Sequence, residues 1–406
     1  MTLIAALLGA ISLFSLGPLG DIEADAGVQA GSRLRVVDEQ ERPGQGTSSQ
    51  DRRVGEFDLG PRLTLTNDAR LRLALTYAPT LHVPMELAPA ETPEGQTLSQ
   101  VEGATYLHNA ELRAERPLGR WVLRGSAGAS YGSLDPLASG ALPGQPLVGT
   151  ARIPYRALTL SAGVTLTPSS RTLVSLDAGA SSSGGDGTVA EQSLPTQRDL
   201  RVDGAFDLRA TRRDTYGALL SFAGARVQRG SDSVALRAGG SWTRGLTPRH
   251  SLRLSGGAAV AREQSLGGDN PGVLPWAEGS LAYSPGERRP TLAVTLGAQP
   301  AIDRLTGAVD VRGFVEARSA WAPARDWAFG VSGQAAVLEP WLGYQGQEVS
   351  RTWTGGVGIR MDRSLGRFLT AGAGVFSTWQ RSGREDLATF REVVAMLDLV
   401  ATLSPR

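Results

Sequence analysis

Asp199, Arg201, Asp203, Asp207 and Arg209 are separated by even numbers of residues, and Leu200, Val202, Phe206 and Leu208 fall between them. In an extended chain successive side chains point to opposite faces, so this segment has one ionic face and one apolar face. The chemistry such an ionic face can do is hydration and ion pairing, not bond making. Side chains that make and break bonds are scarce elsewhere. The chain of 406 residues has no Cys and 3 His. His82 and His108 lie on either side of Pro84–Gly103, and His250 adjoins a turn. Nucleophilic catalysis needs a nucleophile and a base within reach, held by a third group, and no spacing here supplies one. The spacings of metal sites, phosphate loops and nucleotide fingerprints are also absent. The sequence therefore points to no enzyme, no cofactor and no metal site. Without Cys there is no disulfide or thiolate chemistry.

The same alternation recurs along the chain in segments of roughly ten residues, the length of a tilted membrane-spanning strand. About eighteen such segments can be marked, from Val28–Val37 to Thr389–Leu403, with sixteen as the alternative count. Hydrophobic residues make up 41% and the mean hydropathy is −0.13. No internal run of about eighteen apolar residues is present, so no transmembrane helix is expected. Barrel strands escape such scales because only alternate residues meet lipid. All of the basic residues are Arg. A net charge of +1 gives no reason to expect nucleic acid as a partner.

The connections sort by length. Short ones carry turn residues, as in Asn67-Asp68, Arg116-Pro117-Leu118-Gly119, Pro168-Ser169-Ser170 and Ser284-Pro285-Gly286-Glu287. Longer ones include Asp38–Arg53, Pro84–Gly103, Gly132–Pro154 and Ser181–Gln197, while Gln264–Val273 is of middle length. Short and long alternate from the second strand onward, with a few short exceptions. Short turns on one side and longer loops on the other are the habit of outer-membrane barrels. Trp121, Trp242, Tyr283, Trp321, Trp327 and Phe368 lie near the tight turns, and Tyr77, Tyr131 and Trp379 toward the opposite ends. Two aromatic girdles at the membrane interfaces account for that clustering.

The polar parity defines an expected lumen. Its candidate pore-lining residues are Arg62, Arg70, Arg72, Glu111, Arg113, Arg201, Asp203, Asp207, Arg209, Asp310, Arg312 and Glu316. Both signs interleave with no ring of one sign, so strong ion selectivity is not expected. Asp58 and Arg62 beside Arg70 and Arg72 are placed to pair across the wall. Small residues such as Ser126, Gly128 and Ser130, or Thr354, Gly356 and Gly358, leave room in the bore. Pro84–Gly103 and Gly132–Pro154 are candidate plugs.

Residues 1–26 read as a signal peptide, with apolar Leu3–Leu16 and a small-x-small cleavage site at Ala24-Asp25-Ala26. Residues 27–406 then form one domain, an all-β, single antiparallel up-and-down transmembrane barrel. The leader, the alternation, the loop parity and turns such as Leu166-Thr167-Pro168 resemble those of a Gram-negative outer-membrane β-barrel. Among these the chain looks most like the exopolysaccharide-export porins, through strand number, an Arg/carboxylate lumen and the lack of a separate globular domain. The resemblance implies residence in the outer membrane, contact with outer-membrane lipid and lipopolysaccharide, and insertion by the outer-membrane assembly machinery. It also implies a conduit for secreted polysaccharide served by periplasmic export components. A diffusion porin for small polar solutes and a closed envelope scaffold are the alternatives. Such barrels commonly end in an aromatic residue, whereas this chain ends Leu403-Ser404-Pro405-Arg406.

Overall fold

The computed structural model describes residues 22–40, 50–68, 71–86, 104–134, 153–187, 190–191, 194–228, 230–265, 268–286, 288–303, 306–340, 351–383 and 389–403. Nearly all of them are strand. In chain order these are β1 (Ile22–Gln40), β2 (Gln50–Asp68), β3 (Arg72–Tyr77), β4 (Thr80–Glu86), β5 (Thr105–Leu118) and β6 (Trp121–Leu134). Next come β7 (Ile153–Ser169), β8 (Thr172–Gly185), β9 (Gln197–Arg209), β10 (Asp214–Val227), β11 (Asp232–Thr247), β12 (His250–Ser265) and β13 (Gly268–Tyr283). The last are β14 (Thr291–Ile302), β15 (Val309–Ala324), β16 (Trp327–Pro340), β17 (Thr352–Ser364), β18 (Leu369–Ser382) and β19 (Thr389–Leu403).

Apart from β3 and β4, each strand pairs antiparallel with its sequence neighbours, and β1 pairs with β19 from Ala26↔Leu403 to Gln40↔Thr389. The sheet is closed. β3 and β4 both lie between β2 and β5 and are one strand interrupted at Ala78-Pro79. The architecture is therefore the expected 18-stranded barrel, not the 16-stranded one. Closure removes the free edges that an open sheet would present. It also satisfies backbone groups without water, which a lipid-facing wall requires.

The exposed large hydrophobics share one parity on every strand but β8, where Leu173 and Leu176 differ. On β10 they are Tyr216 and Leu220, on β12 Leu254 and Val260, and on β17 Trp353, Val357 and Ile359. The other parity carries the buried residues, among them Arg35, Glu263, Glu392 and Asp398, so it faces inward. The outer apolar belt is bracketed by outward arginines, Arg244 and Arg363 at the turn end and Arg226 and Arg262 at the other. Trp121, Trp321 and Phe368 are exposed near the turn end, while Tyr106, Tyr131, Trp353 and Trp379 are exposed toward the opposite end. Both girdles are present.

Eight connections, from Asp68 to Arg72 through Ser364 to Leu369, lie at the end that also holds Ile22 and Leu403. One connection differs from the expectation. Ser265 and Gly268 close a tight hairpin where a middle-length loop was expected, because the flanking alternation runs on through Arg262 and Asp269. Residues 1–20 of the expected leader lie outside the described residues, as do 87–103 and 135–152 of the two candidate plugs. Pairing of β1 begins at Ile22, opposite Asn67, so cleavage after Ala26 would shorten that strand.

Candidate functional site

Strand parity places most of the candidate residues on the inner face. Arg62 on β2, Arg72 on β3, and Glu111 and Arg113 on β5 face inward opposite inward neighbours on the adjoining strands. So do Arg201, Asp203, Asp207 and Arg209 on β9, and Asp310, Arg312 and Glu316 on β15. Arg70 lies outside the described residues.

These residues do not form one site. They pair locally in small groups around the wall. Arg113 donates to Glu111 through Nε at 2.6 Å and Nη2 at 2.9 Å. Arg201 pairs with Asp203, which also accepts from Ser221 at 2.6 Å. Arg312 and Arg318 lie 3.8 and 3.9 Å from Glu316. Arg72 meets Glu115 at 3.3 Å, not Asp58 as the sequence suggested. Asp58 lies instead between Arg33 and His82, at 2.9 and 2.6 Å. The strand register decides this: Arg72 stands opposite Glu115, and Asp58 opposite His82. The exposed pairs among these, such as Arg72–Glu115 and Arg113–Glu111, contribute about 0–1 kcal/mol each. Their effect is to neutralise and hydrate the wall more than to hold it together.

A tighter cluster was missed by the sequence reading. Arg360 on β17 reaches Asp362 on its own strand and Asp398 on β19 at 2.8 Å. The strand between them carries Gly372, and a Cβ there would come within 2.4 Å of the Asp398 carboxylate and 2.9 Å of the guanidinium. The glycine leaves the space through which the pair forms. The Asp398 side chain is only 2% exposed. A similar pair, Arg35 and Glu392 at 2.8 Å, spans the closing seam between β1 and β19. The available signal was the inward parity of Glu392 and Asp398 on the last strand, with a small residue facing them.

Between the ion pairs the wall is lined with hydroxyls and amides. Ser126 and Ser161 are 2.7 Å apart, and Ser130 donates to Asn109 at 2.7 Å. On this side a concavity of about 350 Å³ is lined by Thr76, Asn109, Glu111, Ser130 and Thr159. Every one of these groups can exchange hydrogen bonds with water or with a polyhydroxylated solute.

Three connections at the end opposite the tight turns lean inward and join one another. Leu194 covers the inward Tyr155, and Gly185 donates its N–H to the Leu194 carbonyl at 2.8 Å. Gln228 donates to the Thr196 carbonyl at 2.8 Å, and Ser231 to the Thr306 carbonyl at 2.7 Å. Gly307, with φ of 74°, makes a turn that a side chain would oppose, and its carbonyl accepts from Ser233. Glu263 accepts from the Ser231 hydroxyl at 2.9 Å and the Val309 N–H at 3.2 Å. Val309 packs on Ala235 and Ala261, both inward residues of β11 and β12. The result is a continuous shelf inside the upper rim from β7 to β15. Among the described residues no group of three His, Cys, Asp or Glu is placed to hold a metal ion.

No family model and no curated protein matches the chain. Solved structures similar to it include Pseudomonas aeruginosa OccK9 (OpdG), 13% identical over 93% of this chain and 98% of that one, with a TM-score of 0.48. Pseudomonas aeruginosa OpdQ is 13% identical over 94% and 99%, with a TM-score of 0.46. Acinetobacter baumannii OccAB3 is 8% identical over 93% and 99%, with a TM-score of 0.45. Identities this low match no residue of this chain to a role.

Proposed function

We propose that this chain is a passive channel for small polar solutes in the outer membrane of a Gram-negative bacterium. Its outer belt would contact lipid and lipopolysaccharide, and its insertion would use the outer-membrane assembly machinery. The observation that carries the reading is the inner wall, which presents charged, hydroxyl and amide side chains on most strands and whose charges are mostly paired locally. A barrel of this strand number encloses an aqueous channel when its interior is left open. Paired charges hold water without binding one ion strongly, and the serines, threonines and asparagine offer neutral donors and acceptors. Solutes that suit such a wall are uncharged or zwitterionic and hydrogen-bonding.

The shelf favours small solutes over the secreted-polysaccharide conduit that the sequence suggested. It narrows the end through which a polymer would leave, and it is cross-linked by hydrogen bonds from Gly185 to Val309. Liposome swelling separates the two. Vesicles holding the purified barrel are expected to swell in mono- and disaccharides and to stop swelling as oligosaccharides lengthen. Equal permeation by long oligosaccharides would return the polymer reading, with periplasmic export components as its partners.

A further inference from the structure

β13 and β14 are paired only from Tyr283↔Leu292 to Ala277↔Ala298. Both strands continue beyond that point, β13 up to Gly268 and β14 up to Ile302, each still paired on its other side. One seam of the wall is therefore unzipped toward the loop end. Continuing the register would set Pro275 opposite Pro300. In an antiparallel pair, opposed residues alternate between exchanging both backbone hydrogen bonds and exchanging none. The β12–β13 ladder runs unbroken through Pro271 and Pro275, and the β14–β15 ladder through Pro300. Proline allows this only where its nitrogen points away from that partner. All three nitrogens therefore point into the seam. The pair that should exchange two bonds there can exchange none, and Pro271 removes a further donor from the same edge.

The unzipped stretch lies within the apolar belt. Arg262, at the belt's upper boundary, is opposite Pro271, and Val260 is opposite Val273. Outward along the edge of β13 stand Val273, which is 67% exposed, and Pro275, while Pro300 and Ile302 on β14 share the face of Val309, which packs on the inner wall at Ala235 and Ala261. None has a charge or a side-chain hydrogen-bonding group. Inside, the upper part of β14 has turned onto the neighbouring wall, where Arg237 donates to Gln299 at 2.6 Å. We propose that this seam is a lateral port by which small apolar solutes pass between the barrel interior and the outer half of the lipid layer. The solute class follows from the lining, which offers few donors and no charge at membrane depth.

The test uses N-phenylnaphthylamine, an uncharged dye that fluoresces on entering lipid, with cells that otherwise exclude it. The barrel is expected to speed dye entry. Replacing the prolines together (Pro271→Val, Pro275→Val, Pro300→Val) restores the missing donors. Dye entry is then expected to fall to the rate of cells lacking the barrel, with the planar-bilayer conductance of the purified protein unchanged. A wild-type barrel that does not speed dye entry overturns the proposal, as does a folded triple variant that still does. Should the triple variant fail to fold, Val273→Cys serves instead, since the chain has no other thiol. Labelling that thiol with a bulky maleimide should slow dye entry and leave conductance intact, whereas undiminished entry overturns the port. Conductance without dye entry refutes the port alone, and absence of conductance refutes the axial channel.

Discussion

Replacing Arg360 by methionine is expected to destabilise the barrel by about 3 kcal/mol, the lower end of the range for breaking a buried ion pair from one side. Asp398 accepts from Arg360 at 2.8 Å and its side chain is almost fully shielded from water. Without the guanidinium, that carboxylate stays buried in a wall of backbone and small residues. The lower end applies because Arg360 itself is 35% exposed, so lumen water can relieve part of the loss. Pairing the change with Asp398→Leu should recover most of the stability, because the cost lies in the stranded charge more than in the lost attraction. Urea unfolding in lipid vesicles, read by the heat-dependent gel shift of folded barrels, gives both numbers. A single variant as stable as the wild type would show that the cluster does not hold the β17–β19 wall.

The second expected result compares two adjacent leucines. Leu220 is on the outer face of β10, midway along the belt and 55% exposed, while Leu219 faces inward opposite Gly239. Leu220→Arg should cost about 2–4 kcal/mol, the penalty for an arginine on the lipid face near the midplane of a barrel. Leu219→Arg should cost far less, since its guanidinium would enter lumen water. In a water-soluble protein the order would reverse. There an arginine at an exposed position usually changes stability by within about 0.5 kcal/mol, while one at the more enclosed position would be the costly change. The ratio of the two unfolding energies in vesicles therefore reports which face is lipid.

Much of this barrel was legible in the order of residues. Period-two alternation needs only nearest neighbours, so the faces of β9 or β12 could be read directly, and the strand count followed. Pairing partners could not be read. Arg72 meets Glu115 and not Asp58 because register, set by turns and by neighbouring strands, decides who stands opposite whom. Arg360 and Asp398 are joined across an intervening strand, which only a closed sheet with Gly372 between them makes short. The inward shelf was also hidden, since its hydrogen bonds link connections that are far apart in the chain. The unzipped seam did leave a local mark. Pro271, Pro275 and Pro300 interrupt otherwise regular alternation, and prolines within strands signal an edge. Read as composition they said little. Set in register, they show which edge.

The current through single barrels in a planar bilayer tests the open channel most directly. The purified protein is expected to insert in discrete steps. Each step should carry a steady current proportional to voltage, with weak preference between potassium and chloride because inner charges of both signs alternate around the wall. A folded barrel that inserts and carries no current, or one that passes a single sign of ion almost alone, would contradict it.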